Sequence, residues 1–152
     1  MLTTFNQTIQ QADDRFLSDS ELHALEAYVQ SFAVRQQTYQ LLSQHADELV
    51  IGALRQFAQT HRKDVEADGA KCKRDMAYAL KYIARAALMD EADAFKQDFA
   101  LWMENITRAV HKGDAAAKAY GCLNQVIQAK LPNQCAAIVT PYLEDLIMAF
   151  SG

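Results

Sequence analysis

The chain is short of the residues that make tight turns and cross-links. It has five glycines and two prolines in 152 residues and is rich in Ala, Gln and Leu, which points to an all-α fold. The three cysteines, Cys72, Cys122 and Cys135, form no CxxC pair, and their odd number disfavours a disulfide framework. No apolar run approaches the ~18 residues needed to span a bilayer. The opening Met1-Leu2-Thr3-Thr4-Phe5-Asn6 lacks a basic region followed by an apolar core, so no signal peptide is expected and a cytoplasmic protein is the default. Net charge is −4 with no basic block, which argues against nucleic acid as a partner. The sequence has no internal repeat, no P-loop, no Gly-rich dinucleotide motif and no recognisable Ser-His-Asp arrangement. An enzyme is therefore the weakest function class.

What is present is core. Hydrophobic residues make up 51% and charged residues 22%, which suits one folded domain over residues 1–152. Leu2 to Asp14 reads as a short amphipathic helix with Phe5 and Ile9 on one side. Ser18 and Glu21 form a capping box, so a second helix starts at Ser18. Its apolar pattern runs through Leu22, Leu25, Val29 and Phe32 and on to Phe57. That is too long for one ordinary helix, and one or two breaks are expected between Val34 and Asp47. Gly52 would permit a close helix crossing. Thr60 to Lys71 is polar and contains Asp68-Gly69, so a linker with a turn is expected there. Met89 to Asp93 reads as another turn. The helix carrying Phe95, Phe99, Trp102, Ile106 and Val110 should stop at Gly113, and the next runs from Asp114 to Lys130. Pro132-Asn133 breaks the chain. Pro141 marks either a helix start or a kink in the last apolar segment.

The stretch with chemistry is Lys71 to Tyr82. Met76, Leu80, Ile83 and Ala87 recur at helical spacing, which puts Cys72, Asp75, Ala79 and Tyr82 on one face. A thiol, a carboxylate and a phenol then point one way, with Lys73 and Arg74 beside them to meet an anion. The cations Lys71, Lys73 and Arg74 should lower the pKa of the Cys72 thiol.

Cys72-Lys73-Arg74-Asp75 resembles the Cys-x-Arg-Asp motif of the phycobiliproteins, globin-like proteins that carry open-chain tetrapyrroles. Leu80-Lys81-Tyr82-Ile83 is similar to that family's Leu-Arg-Tyr-Val run. Ala12 to Leu22 resembles its N-terminal pattern without the Gly before the Arg. Ala46 to Ala53 and the closing Tyr142 to Ser151 also look like family segments. The resemblance implies a thioether from Cys72 to a phycocyanobilin-like bilin, Asp75 on its central nitrogens, and Arg74 with Lys73 at a propionate. Tyr82 and, less directly, Tyr78 would stack on or hydrogen-bond the chromophore. It also implies that residues 1–17 form an association helix outside a globin-like body of residues 18–152. There Asp13 would pair with Lys81 of a partner, in a homo-oligomer or with a related subunit. The Thr60–Lys71 stretch is about half the family's usual length, which should leave the propionate end of the pocket open.

Each of these residues also has an ordinary reading. A lone Cys on an Ala-rich helix is usually a small buried hydrophobe, and this is the expectation for Cys122 and Cys135. Asp75 would otherwise be a carboxylate near a helix start, and Arg74 a solvated charge. Trp102, spaced with Phe99 and Ile106, is more often core than pocket, and Tyr120 is ambiguous. His23, His45, His61 and His111 lack the placement that a haem ligand needs in a globin-like layout, and none has zinc-site spacing. The expected function is light absorption or energy transfer by a bound bilin, by binding and not catalysis. The alternatives are a non-antenna bilin carrier or regulator, which the short Thr60–Lys71 stretch favours, and a chromophore-free helical interaction module.

Overall fold

The computed structural model describes residues 3–152; Met1 and Leu2, where the first expected helix was to begin, lie outside the described residues. All regular structure among the described residues is helical. Helix α1 spans Thr3–Gln11, α2 Asp19–Gln30, α3 Phe32–Ala58 and α4 Arg62–Met89. After a single turn, α5 (Ala92–Ala94), the chain forms a π-helical segment, Phe95–Ala100. It continues as α6 (Leu101–Ala109), α7 (Gly113–Lys130) and α8 (Asn133–Ser151). No described helix is long and apolar enough to cross a membrane.

The body is built on α3, α4, α7 and α8. α3 packs along α4 and α7, and α7 along α8. Leu42, Leu49 and Val50 of α3 meet Met76, Leu80 and Ile83 of α4 in one continuous core. Leu123 and Ile127 of α7 and Val139, Leu143 and Leu146 of α8 complete it. Gly52 serves as expected: a Cβ there would lie 3.3 Å from a Val126 methyl, so its absence lets α3 and α7 cross closely.

The N-terminal pair stands apart. α1 packs on α2, and α2 meets α3. Ser18 is the N-cap of α2: its hydroxyl accepts from the Glu21 N–H at 3.2 Å, and its own N–H donates to the Glu21 carboxylate at 3.1 Å. Arg15 holds the same carboxylate from the other side, at 2.6 Å and 3.1 Å. That bidentate ion pair lowers the Glu21 pKa. No residue of α2 is buried, and Phe16 is 98% exposed.

Three expectations are corrected. The break in the long apolar run falls at Ser31, before the Val34–Asp47 window, and α3 is unbroken. Nothing in that window removes a backbone donor. The Thr38 hydroxyl donates to the Val34 carbonyl at 2.8 Å, a back-bond that helices tolerate. Thr60 to Lys71 is not a linker: only Gln59, Thr60 and His61 separate α3 from α4. Asp64 sits in the first turn of α4 and Arg62 pairs with Glu66 at 2.9 Å, both helix-stabilising. Asp68-Gly69 is a turn signal only where positive φ is needed, and no described glycine has it. Gly113 does not stop a helix. His111 takes the left-handed conformation, φ 56°, at that corner, and Gly113 opens α7. Gly113 is required by contact, because a Cβ would sit 2.4 Å from the Phe150 carbonyl oxygen. Of the two readings of Pro141, the helix start is excluded, because the residue lies inside α8. The Met89–Asp93 turn is present, with Asp90 left-handed at φ 53° as the cap of α4.

Candidate functional site

α4 and α7 both rest on α3 and α8, and between α4 and the α6–α7 arm lies a slot of about 360 Å³. Its α4 wall is one helical face carrying Asp64, Asp68, Lys71, Cys72, Asp75 and Tyr78. From Asp64 to Tyr78 that face runs roughly 21 Å along the helix axis. The opposite wall is apolar: Trp102, Met103, Ile106 and Val110 from the α6 side. Ala115, Ala116 and Ala119 of α7 keep the slot open, and Phe57 and Phe150 close its base.

Tyr120 is the buried polar group of this wall. It is 3% exposed, its ring packs edge-on against Phe150 at 5.1 Å, and its hydroxyl has no hydrogen-bond partner. Leaving a buried hydroxyl unpaired costs about 1–3 kcal/mol. Burial, with Cys72 and Asp75 nearby, raises its pKa far out of the working range, so it stays a donor.

Of the residues singled out in the sequence, Cys72, Asp75 and Tyr78 line the slot. Tyr82 does not. It continues along α4 and stacks on Phe99, with centroids 4.4 Å apart and planes 15° from parallel. Lys73 and Arg74 are exposed and lie off the slot face. Asp13 and Lys81 are both exposed. Trp102 is not core but 51% exposed at the slot wall, its ring centroid 6.0 Å from that of the buried Phe99. None of the four histidines lines the slot. His61 stacks on Phe57 at 4.6 Å.

The electrostatics of Cys72 differ from expectation. Its thiol is half-buried, and burial, then Asp75, then Asp68 push its pKa up to about 11. Lys73 and Arg74 are exposed and off the slot face, so their charge is screened by water. The helix replacing the expected linker brings Asp68 to its side. At pH 7 roughly one such thiol in ten thousand is thiolate.

Sequence reasoning missed Asp64, Asp68 and Lys112. The first two were hidden by reading their segment as a linker. Lys112 lies in the α6–α7 turn and forms an ion pair with Asp68 across the slot. That contact and, more weakly, Lys71 lower the Asp68 pKa.

The family model for phycobilisome proteins matches residues 7–150, nearly the whole chain. The chain therefore belongs to the phycobilisome protein family, within the phycobiliprotein superfamily, and its all-α fold is the globin-like fold of that group. Comparison with curated proteins finds no match.

Proposed function

We propose that the slot binds a linear tetrapyrrole of the phycocyanobilin class and that the protein works by binding, not catalysis. The observation that carries this reading is an elongated slot in which a carboxylate and a thiol face an apolar wall that holds Tyr120, its buried hydroxyl unpartnered. Three features fit such a ligand. The slot is elongated, one wall is largely apolar, and the α4 wall opposite presents carboxylates, a thiol and a phenol. Asp75 is the acceptor for the central pyrrole N–H groups. Tyr120 is the donor for a ligand carbonyl. Tyr78, Trp102 and Met103 flank the ring plane, whereas Tyr82 acts through the Phe99 stack. Cys72 stands where a thioether would be made. The bound group supplies absorption of visible light. A rigid slot slows its non-radiative decay, which suits light harvesting and energy transfer in photosynthesis.

A second reading is favoured by one observation. The raised pKa of Cys72 slows spontaneous attachment at neutral pH. A carrier or regulator that holds the bilin reversibly fits this without further assumption. In either reading residues 1–17 are the association element and 18–152 the body. The exposed Phe5, Ile9, Phe16 and Leu22 support oligomer formation with an identical or related chain. Asp13 and Lys81 form the inter-subunit ion pair, in a cytoplasmic setting.

Co-expression with a haem oxygenase and a bilin reductase tests this. A red-absorbing protein with a zinc-fluorescent band on a denaturing gel, lost in Cys72→Ala, is the result expected for attachment. Colour in the native protein without a band selects the carrier. A colourless protein overturns both.

A further inference from the structure

The slot carries a carboxylate recognition point that already has an occupant. Lys112 reaches from the α6–α7 turn to Asp68 on α4, and Lys71 approaches the same carboxylate one turn further along. The Lys112 ammonium thus pairs with the Asp68 carboxylate at the slot, and Lys71 acts on the same carboxylate more weakly from its own helix. Arg74, which the motif assigns to an anion, is outside it. The Lys112 and Asp68 side chains are each about half exposed, 52% and 42%. An ion pair this wet is easily exchanged for another of similar strength. α4 and α7 both rest on α3 and α8, so breaking the pair leaves the walls supported.

We propose that Lys112 is the residue that recognises the ligand's carboxylate, and that Asp68 competes with the ligand for it. This rests on the tetrapyrrole reading, since a bilin brings propionate side chains. A ligand carboxylate entering the slot meets the ammonium that Asp68 holds in the free protein. Its binding releases Asp68 to water, where a carboxylate is well solvated. Lys71 shares the site, but it stands on the helix that also carries Asp64, Asp68 and Asp75, so its field is largely offset there. Lys112 faces those acids from the apolar wall. The consequence is a sign difference that mere wall support would not give. Removing the cation weakens acid-bearing ligands alone, and removing the competing carboxylate strengthens them.

The test uses Trp102, the single tryptophan, whose ring lines the slot and whose fluorescence a bound tetrapyrrole quenches. Biliverdin and its dimethyl ester are titrated into the wild-type chain, Lys112→Gln and Asp68→Asn at low salt. Lys112→Gln is expected to weaken biliverdin about tenfold and leave the ester unchanged. Asp68→Asn should tighten biliverdin about threefold, again with no effect on the ester. Rising salt should shrink both differences. If acid and ester respond alike to each substitution, Lys112 supports the wall and does not read the acid, and the proposal falls while the tetrapyrrole reading stands. If the wild-type chain binds neither compound, the tetrapyrrole reading falls and takes this proposal with it.

Discussion

The α1–α2 arm and the slot both leave apolar surface uncovered, and they do so in opposite shapes. The arm is convex. Phe5 and Ile9 of α1, Phe16 of the connection and Leu22 and Val29 of α2 stand out with almost nothing buried beneath them. The slot is concave, with apolar side chains around a donor that has no partner. A convex apolar face is complemented by another protein surface, with energy proportional to area. A concave wall with one unpaired donor is complemented by a small molecule that brings an acceptor. The capping box and the Arg15 ion pair explain how the arm holds its shape without a core of its own.

The contrast can be broken by substitution. The largest effect should come from the body. Leu80→Ala removes a fully buried side chain and should cost about 2–5 kcal/mol in urea denaturation. Phe16→Ala should change the stability of the dissociated chain by less than about 0.5 kcal/mol while weakening association. Comparable losses would mean that the arm is part of the folding unit. Next is Gly113→Val, which drives a side chain into the Phe150 carbonyl and should cost roughly 2–3 kcal/mol. An unchanged denaturation midpoint would show that the α7–α8 corner gives way freely.

Tyr120→Phe sharpens the slot side of the comparison. Removing a buried, unpaired hydroxyl should stabilise the free protein by about 1 kcal/mol. The same change should weaken tetrapyrrole binding about tenfold, because the ligand then loses its donor. Stabilisation without weaker binding would place the ligand elsewhere. The smallest effect concerns Cys72. Its folded pKa of about 11 lies above the ordinary 9.0, so the neutral thiol's contribution to stability is whole below pH 9. It is lost as pH rises through 11. Alkylation by iodoacetamide, followed by mass spectrometry, should stay slow at pH 8 and rise toward pH 11. Asp75→Asn should move that rise to lower pH.

The core was legible because its periodicity is local. Met76, Leu80 and Ile83 announce α4, and Ser18 with Glu21 announces α2, without help from the rest of the chain. The Cys72 and Asp75 wall followed from helical spacing and from the family motif. The rest depended on contacts that sequence does not print. Asp68-Gly69 reads as a turn until tertiary packing holds it helical. Lys112 is 44 residues from Asp68, so their pairing is invisible in one dimension. The Cys72 pKa was misread in sign because the adjacent cations were counted, whereas its burial and the carboxylates one turn away on the same helical face, Asp75 and Asp68, were not. Trp102 was read as core from its spacing with Phe99 and Ile106, but Met103 takes the buried position and Trp102 lines the slot.

The most direct single measurement is the quenching of Trp102 by biliverdin in the wild-type chain and in Ala116→Leu, which narrows the slot. The account predicts saturable one-to-one quenching that Ala116→Leu abolishes without lowering the melting temperature. Quenching that survives Ala116→Leu, or its absence in the wild-type chain, would contradict the assignment of the slot as a tetrapyrrole site.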